Sequence, residues 1–133
     1  MEKVILLGTH GRAGEELIKS AEMILGKMKN VRSFSLMPGM ALEDYMRPIE
    51  ECLQDLPGGT LCLVDLFGGT PSNTFCALSQ KYGNVVVTGL NLAMLMEVYM
   101  NKDTLTDAEL EELALTALSE SGKNATKILK GGK

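Results

Sequence analysis

The one histidine of the sequence, His10, stands where the apolar run Val4-Ile5-Leu6-Leu7 gives way to Gly8-Thr9-His10-Gly11-Arg12-Ala13-Gly14, ahead of a helical pattern. That is the carboxyl end of a strand, the edge along which open α/β sheets keep their chemistry. Imidazole titrates near neutrality and can act there as base, nucleophile or proton carrier. A second apolar run, Thr60 to Leu66, carries one charge, Asp65, and breaks into Phe67-Gly68-Gly69-Thr70-Pro71-Ser72-Asn73. A carboxylate accepting a hydrogen bond from imidazole Nδ1–H fixes the tautomer, leaves the Nε2 lone pair free and stabilises positive charge developing on the ring. Gly68 and Gly69 allow close backbone approach. The backbone N–H groups of a helix start, with the hydroxyls of Thr70 and Ser72, would attract phosphoryl oxygens.

Other readings of these motifs are weaker. Gly8 to Gly14 does not fit a dinucleotide fingerprint, because its glycines are three apart and the middle position would be His10 itself. No P-loop lysine and no cluster of metal ligands is present by motif, which disfavours an NTPase or a metallohydrolase. Asn91 could reach the same crevice or simply turn the chain before a helix. Arg12 could meet phosphate or an acidic partner, or be merely solvated.

The elements that must position these residues alternate. Strands are predicted at Val4–Leu7, Val31–Leu36, Thr60–Leu66 and Val85–Thr88. Between them, Leu17, Ile18, Ala21, Ile24 and Leu25 form one helical stripe, closed by Gly26, and Leu42, Tyr45, Met46, Ile49 and Leu53 form a second. Pro48 lies inside the second helix, where it costs roughly 3 kcal/mol, so a kink or a break is expected there. Thr70 reads as an N-cap with Pro71 at the first helical position of a helix running to about Lys81. A further helix carries Leu92, Leu95, Met96, Tyr99 and Met100; Thr106 and Glu109 then make a capping box for the last long one, which Gly122 stops. Ala125–Leu129 reads as an edge strand before a frayed tail. This alternation predicts a doubly wound, mostly parallel α/β sheet of four central strands with helices on both faces, and the common order of such sheets is taken for it, 2-1-3-4. In that order the first and third strands are neighbours, and their carboxyl ends bring His10 and Asp65 together.

At 133 residues the chain reads as one domain, 1–133, with no internal repeat or linker. Seventeen acidic and thirteen basic residues give a charge of −4 without a basic block, which disfavours nucleic acid. Cys52, Cys62 and Cys76 show no C-x-x-C spacing and read as reduced, buried thiols of a cytosolic protein. No signal peptide or run of transmembrane length is seen, so membrane association is expected only through a partner. Met23, Met46, Met96 and Met100 are expected in the core, whereas Met37, Met40 and Met94, near strand ends, could face a partner.

The motifs Gly-Thr-His-Gly, Ala-Glu-Met-Ile-Leu-Gly, Val-Asp-Leu-Phe-Gly-Gly-Thr-Pro-Ser-Asn and Thr-Gly-Leu-Asn-Leu-Ala-Met-Leu, in this order, resemble the mannose-family (mannose/fructose/sorbose) enzyme IIA domain of the sugar phosphotransferase system. The resemblance spans nearly the whole chain. It implies a cytoplasmic phosphocarrier that takes a phosphoryl group from phospho-HPr onto His10 and passes it to a IIB domain, which phosphorylates a sugar at a membrane permease of IIC and IID subunits. It further implies that Asp65 orients His10, that Thr70 is the small hydroxyl residue after the paired glycines, that no metal or nucleotide is needed, and that the protein is a homodimer exchanging a C-terminal strand. Two positions depart from the family's pattern: Ser72, often aromatic there, and Ala93, often proline. They bear on the partner surface rather than on the histidine. The competing readings are a flavodoxin-like module whose His10 only binds or senses an anion, and the phosphocarrier subunit of dihydroxyacetone kinase. The transported sugar is not legible, because a phosphocarrier of this kind never touches it.

Overall fold

The computed structural model describes residues 2–131. Four strands, β1 (Ile5–His10), β2 (Val31–Leu36), β3 (Leu61–Val64) and β4 (Val85–Thr88), form one parallel sheet in the order β2-β1-β3-β4. Among the described residues there are six helices: α1 (Ala13–Leu25), α2 (Leu42–Gln54), α3 (Thr70–Tyr82), α4 (Leu92–Asn101), α5 (Asp107–Ser121) and α6 (Ala125–Leu129).

Strand alternation divides the core in two. Ile5, Leu7, Leu61, Leu63 and Val87 face a layer built from Ala21 of α1, Met94, Leu95 and Val98 of α4, and Leu110, Ala114 and Ala117 of α5. Leu6, Cys62 and Val64 face Tyr45, Ile49, Cys52 and Leu53 of α2 and Phe75 and Leu78 of α3. The run in β3 is apolar throughout because both its faces are covered. With α1 leaving β1 to one face and α3 leaving β3 to the other, the carboxyl ends of β1 and β3 open a crevice.

Helix α2 runs unbroken through Pro48. The expected break does not occur. Pro48 lies on the exposed side, where water can satisfy the carbonyl it leaves free. On the inner side the buried Tyr45, Ile49 and Leu53 each contribute about 1.5–3 kcal/mol, enough together to outweigh the proline's cost.

The expected edge strand is also corrected. Ala125–Leu129 is a short exposed helix, its start capped by Asn124, whose side chain accepts from Lys127 N–H. A strand needs a partner edge, whereas a capped turn satisfies its own backbone. Two of the three cysteines, Cys52 and Cys62, are buried as expected, but Cys76 is exposed on α3. Burial pushes the Cys62 thiol up to about 12, so it stays protonated. No described helix is long and apolar enough to cross a membrane.

Candidate active site at the ends of β1 and β3

His10 is the last residue of β1 and is paired with Leu36, the last residue of β2. Its neighbour on the other side, β3, ends at Val64, opposite Gly8. Asp65 follows, donating its N–H to Gly8 O at 3.2 Å before the chain leaves the sheet. This register places the Asp65 carboxylate beside His10. Asp65 Oδ2 accepts the His10 backbone N–H at 2.8 Å and lies 3.0 Å from His10 Nδ1. One oxygen thus holds both the main chain and the ring. Because the carboxylate can only accept, Nδ1 carries the proton and the Nε2 lone pair is free. Nε2 has no hydrogen-bond partner among the described residues, and the side chain is 48% exposed. The imidazole is therefore fixed at one end and open at the other.

The second carboxylate oxygen, Oδ1, is buried without a partner. Beneath it lies Tyr45, whose hydroxyl donates to Phe34 O at 3.0 Å. Burial, and then the Asp65 charge, pushes the Tyr45 hydroxyl well above its ordinary range, so it remains a neutral donor. Phe75 and Tyr45 press against Gly8, which leaves no room there for a side chain.

The ring is flanked on one side by Gly69. A Cβ at that position would stand 2.7 Å from His10 Cε1 and 3.4 Å from Nε2, so backbone and imidazole touch directly. Gly68 takes φ +80°, a conformation that side chains disfavour, to make the preceding turn. Gly69 N–H donates to Leu66 O at 3.1 Å, and Asn73 ties the loop by donating from its main chain to Gly69 O and from its side chain to Gly68 O. On the other side of the ring, Leu36, Met37, Pro38, Gly39 and Met40 line a depression of about 370 Å³ that includes His10 and Gly11.

Gly69, not Thr70, caps α3; Thr70 is already helical and Pro71 is the second helical residue. This corrects the expected cap by one position. The consequence favours anion binding, because a glycine cap has no side chain to occupy the first-turn N–H groups of Thr70 and Ser72. The first turn contains no acidic residue, so the positive end of the helix dipole lies bare beside the imidazole. Thr70 is exposed there. Ser72 is 2% exposed and lines a different depression, along β4 with Phe67, Cys76 and Val85 to Thr88, so its hydroxyl does not join His10 in the described pocket.

Arg12 precedes α1 without capping it and is exposed, 3.8 Å from Glu15. Asn91 is committed to structure: its Oδ1 accepts Met94 N–H at 3.1 Å as the cap of α4, and its Nδ2 donates to Gly89 O. Thr9, Tyr45 and Asn73 support the site without having been singled out among its candidate residues. The alternation of β1 was the signal available for Thr9, since a polar residue inside a buried strand needs partners.

The family described as PTS system fructose IIA component (EIIA-man) matches residues 4–115. The chain belongs to that family. The mannose-specific EIIAB component of the phosphotransferase system of Escherichia coli K12 is 37% identical over 133 residues, covering 98% of this chain and 40% of the relative. This chain therefore spans less than half of that longer protein. The sorbose-specific EIIA component of Lacticaseibacillus casei is 31% identical over 112 residues, 81% of this chain and 79% of that one. Among solved structures, the phosphotransferase component EIIA of Streptococcus agalactiae superposes with a TM-score of 0.87 at 29% identity, covering 93% of this chain and 98% of that one.

Contact between Gly69 and the ring gives a first expected outcome for this EIIA-family chain. Gly69→Ala should displace the imidazole, because the added Cβ would stand inside contact distance of His10 Cε1. The fold should persist, because the residue lies in an extended cap conformation that alanine can adopt. The nitrogen NMR signals of the one imidazole measure it, with shifted ring signals and a parent-like melt as the expected result.

Proposed function

We propose that this chain is the phosphoryl-carrying domain of a sugar phosphotransferase system, accepting phosphate from phospho-HPr on His10 and handing it to a IIB domain of a mannose-type permease. The observation that carries this reading is the single Asp65 oxygen within hydrogen-bond reach of both His10 N and Nδ1, with Nε2 left open at the start of α3.

In the proposed transfer the Nε2 lone pair attacks phosphorus as the nitrogen–phosphorus bond of the donor breaks, and that bonding pair returns to the donor ring. Positioning and charge stabilisation do most of the work in such a loose transition state. The proton stays on Nδ1, where Asp65 balances the positive charge that the ring acquires. Gly69 allows the phosphoryl group to approach the backbone, and the free N–H groups of Thr70 and Ser72 favour its oxygens. Donor, carrier and acceptor all bond phosphorus to nitrogen in this scheme, so each step is close to balanced and reversible.

In the loop between Asp65 and Gly68 two apolar side chains are exposed, Leu66 at 59% and Phe67 at 84%, and Met40 lines the depression beside the ring. Such a rim suits a carrier that must dock two protein partners in turn. Arg12 stands at the same end, available to an acidic partner surface. A homodimer is the further expectation. The edge of β4 is open among the described residues, and beside it Leu115 of α5 is 49% exposed. Sedimentation at twice the monomer mass would support the dimer, and a monomer at micromolar concentration would remove it.

The test of function is a relay. Incubation with labelled phospho-HPr should transfer label to this chain, and addition of a mannose-type IIB domain should discharge it. A chain that accepts no label would favour an anion-sensing module instead, and label accepted but passed to no IIB domain would remove the permease part of the reading.

A further inference from the structure

We infer that Thr9 is a positioning residue for His10, acting from the opposite face of the sheet; its proposed effect on transfer rests on the phosphocarrier reading above. Alternation along β1 turns Gly8 toward Tyr45 and Phe75, beneath α2 and α3, and turns Thr9 toward the start of α1. Thr9 is fully buried, and its hydroxyl is used twice: it accepts Gly14 N–H at 3.0 Å and donates to Gly11 O at 3.1 Å.

Both bonds have a structural reason. The residue in the cap position of α1 is Arg12, which makes no side-chain capping bond, so the Gly14 N–H of the first turn would otherwise be buried and unsatisfied. Thr9 supplies the missing cap from the strand itself. Gly14 is a glycine because Thr9 Cγ2 and Ser33 Oγ crowd the place a Cβ would take. The second bond closes the turn that begins at His10. With Gly11 N–H donating to Leu36 O at 2.8 Å and His10 N–H donating to Asp65 Oδ2, the peptides on both sides of the histidine are pinned, one to the end of β2 and the other to the carboxylate just beyond β3.

This arrangement gives Thr9 a role in ring orientation that does not require contact with substrate. Without its hydroxyl, residues 11–14 lose their anchor to β1, and the His10 backbone can rotate away from the Asp65 oxygen that also holds Nδ1. The ring then samples the tautomer with the proton on Nε2, which cannot attack phosphorus.

The test compares Thr9→Val, which keeps shape and removes the hydroxyl, with Thr9→Ser, which keeps the hydroxyl, and with Thr9→Ala. Two readouts are needed: the rate of label transfer from phospho-HPr, and the nitrogen NMR signals of the chain's one imidazole in the unphosphorylated protein. Thr9→Val should transfer roughly tenfold more slowly, as expected for a loosened reacting group, and its ring signals should shift toward a mixture of tautomers. Thr9→Ser should match the parent in both. If Thr9→Val fails to fold by circular dichroism, the serine and alanine variants decide, with serine again like the parent and alanine slow. Parent-like ring signals and rate in both hydroxyl-free variants would overturn the inference, as would a serine variant as impaired as alanine. A parent protein that accepts no label would refute the carrier reading, while the ring signals would still report whether Thr9 sets the tautomer.

Discussion

His10→Ala is expected to take no label from phospho-HPr above background while folding like the parent. The chain has no second histidine, so no other imidazole can assume the role. Structural cost should be small. The backbone N–H that binds Asp65 belongs to the main chain and survives the substitution, and the side chain is half exposed, so stability should change by no more than about 1 kcal/mol. A thermal melt beside the transfer assay separates the two effects. Label on the alanine variant at the parent's level would mean that phosphorus goes elsewhere.

Asp65→Asn should come next in severity, for a reason visible in the geometry. The asparagine carbonyl oxygen can occupy the place of Oδ2 and still accept from both His10 N and Nδ1, so the ring need not turn. Its amide then lies where Oδ1 is buried without a partner, and two donor hydrogens are left without an acceptor. What the substitution removes is charge. A hydrogen bond to an ionised group is worth about 1.5–3 kcal/mol, which corresponds to roughly 10- to 100-fold in rate if it strengthens as the ring becomes positive. The measurement is a single-turnover rate with saturating donor, which isolates the chemical step from docking. An unchanged rate would show that Asp65 holds structure only.

Much of this site was legible because alternating strands and helices imply a doubly wound sheet, and the common order of such sheets makes β1 and β3 neighbours. Once β1 and β3 were neighbours, residues 10 and 65 had to meet at their carboxyl ends; Val85–Thr88 could be delimited by its β-branched run, and Val31–Leu36 by the turns that flank it. The capping box of Thr106 and Glu109 is present with both of its hydrogen bonds. Failures cluster where several packings share one pattern. Met23 was expected in the core and is 87% exposed, because it lies about 200° around the helix from the buried Ala21; Met94, expected near a partner, is fully buried against the sheet. Met100 is likewise half exposed at the end of α4.

Ser72 shows a different limit. Its hydroxyl could be read as a phosphoryl ligand from spacing alone, but the turn of α3 buries it toward β4 once Gly69 rather than Thr70 begins the helix. Ala125–Leu129 carries β-branched residues at Thr126 and Ile128, yet local capping by Asn124 decides its conformation. The support from Thr9 and Tyr45 was hidden for the opposite reason. Each is an ordinary residue in an ordinary element, and only the three-dimensional register turns its hydroxyl toward the peptide that must be held.

The central claim is that phosphorus bonds to His10 Nε2 while Asp65 keeps Nδ1 protonated. Phosphorus and nitrogen NMR of the chain after reaction with phospho-HPr tests it directly. One phosphohistidine signal coupled to Nε2, with a protonated Nδ1, is the predicted result; phosphorus on Nδ1, or on any other residue, would contradict it.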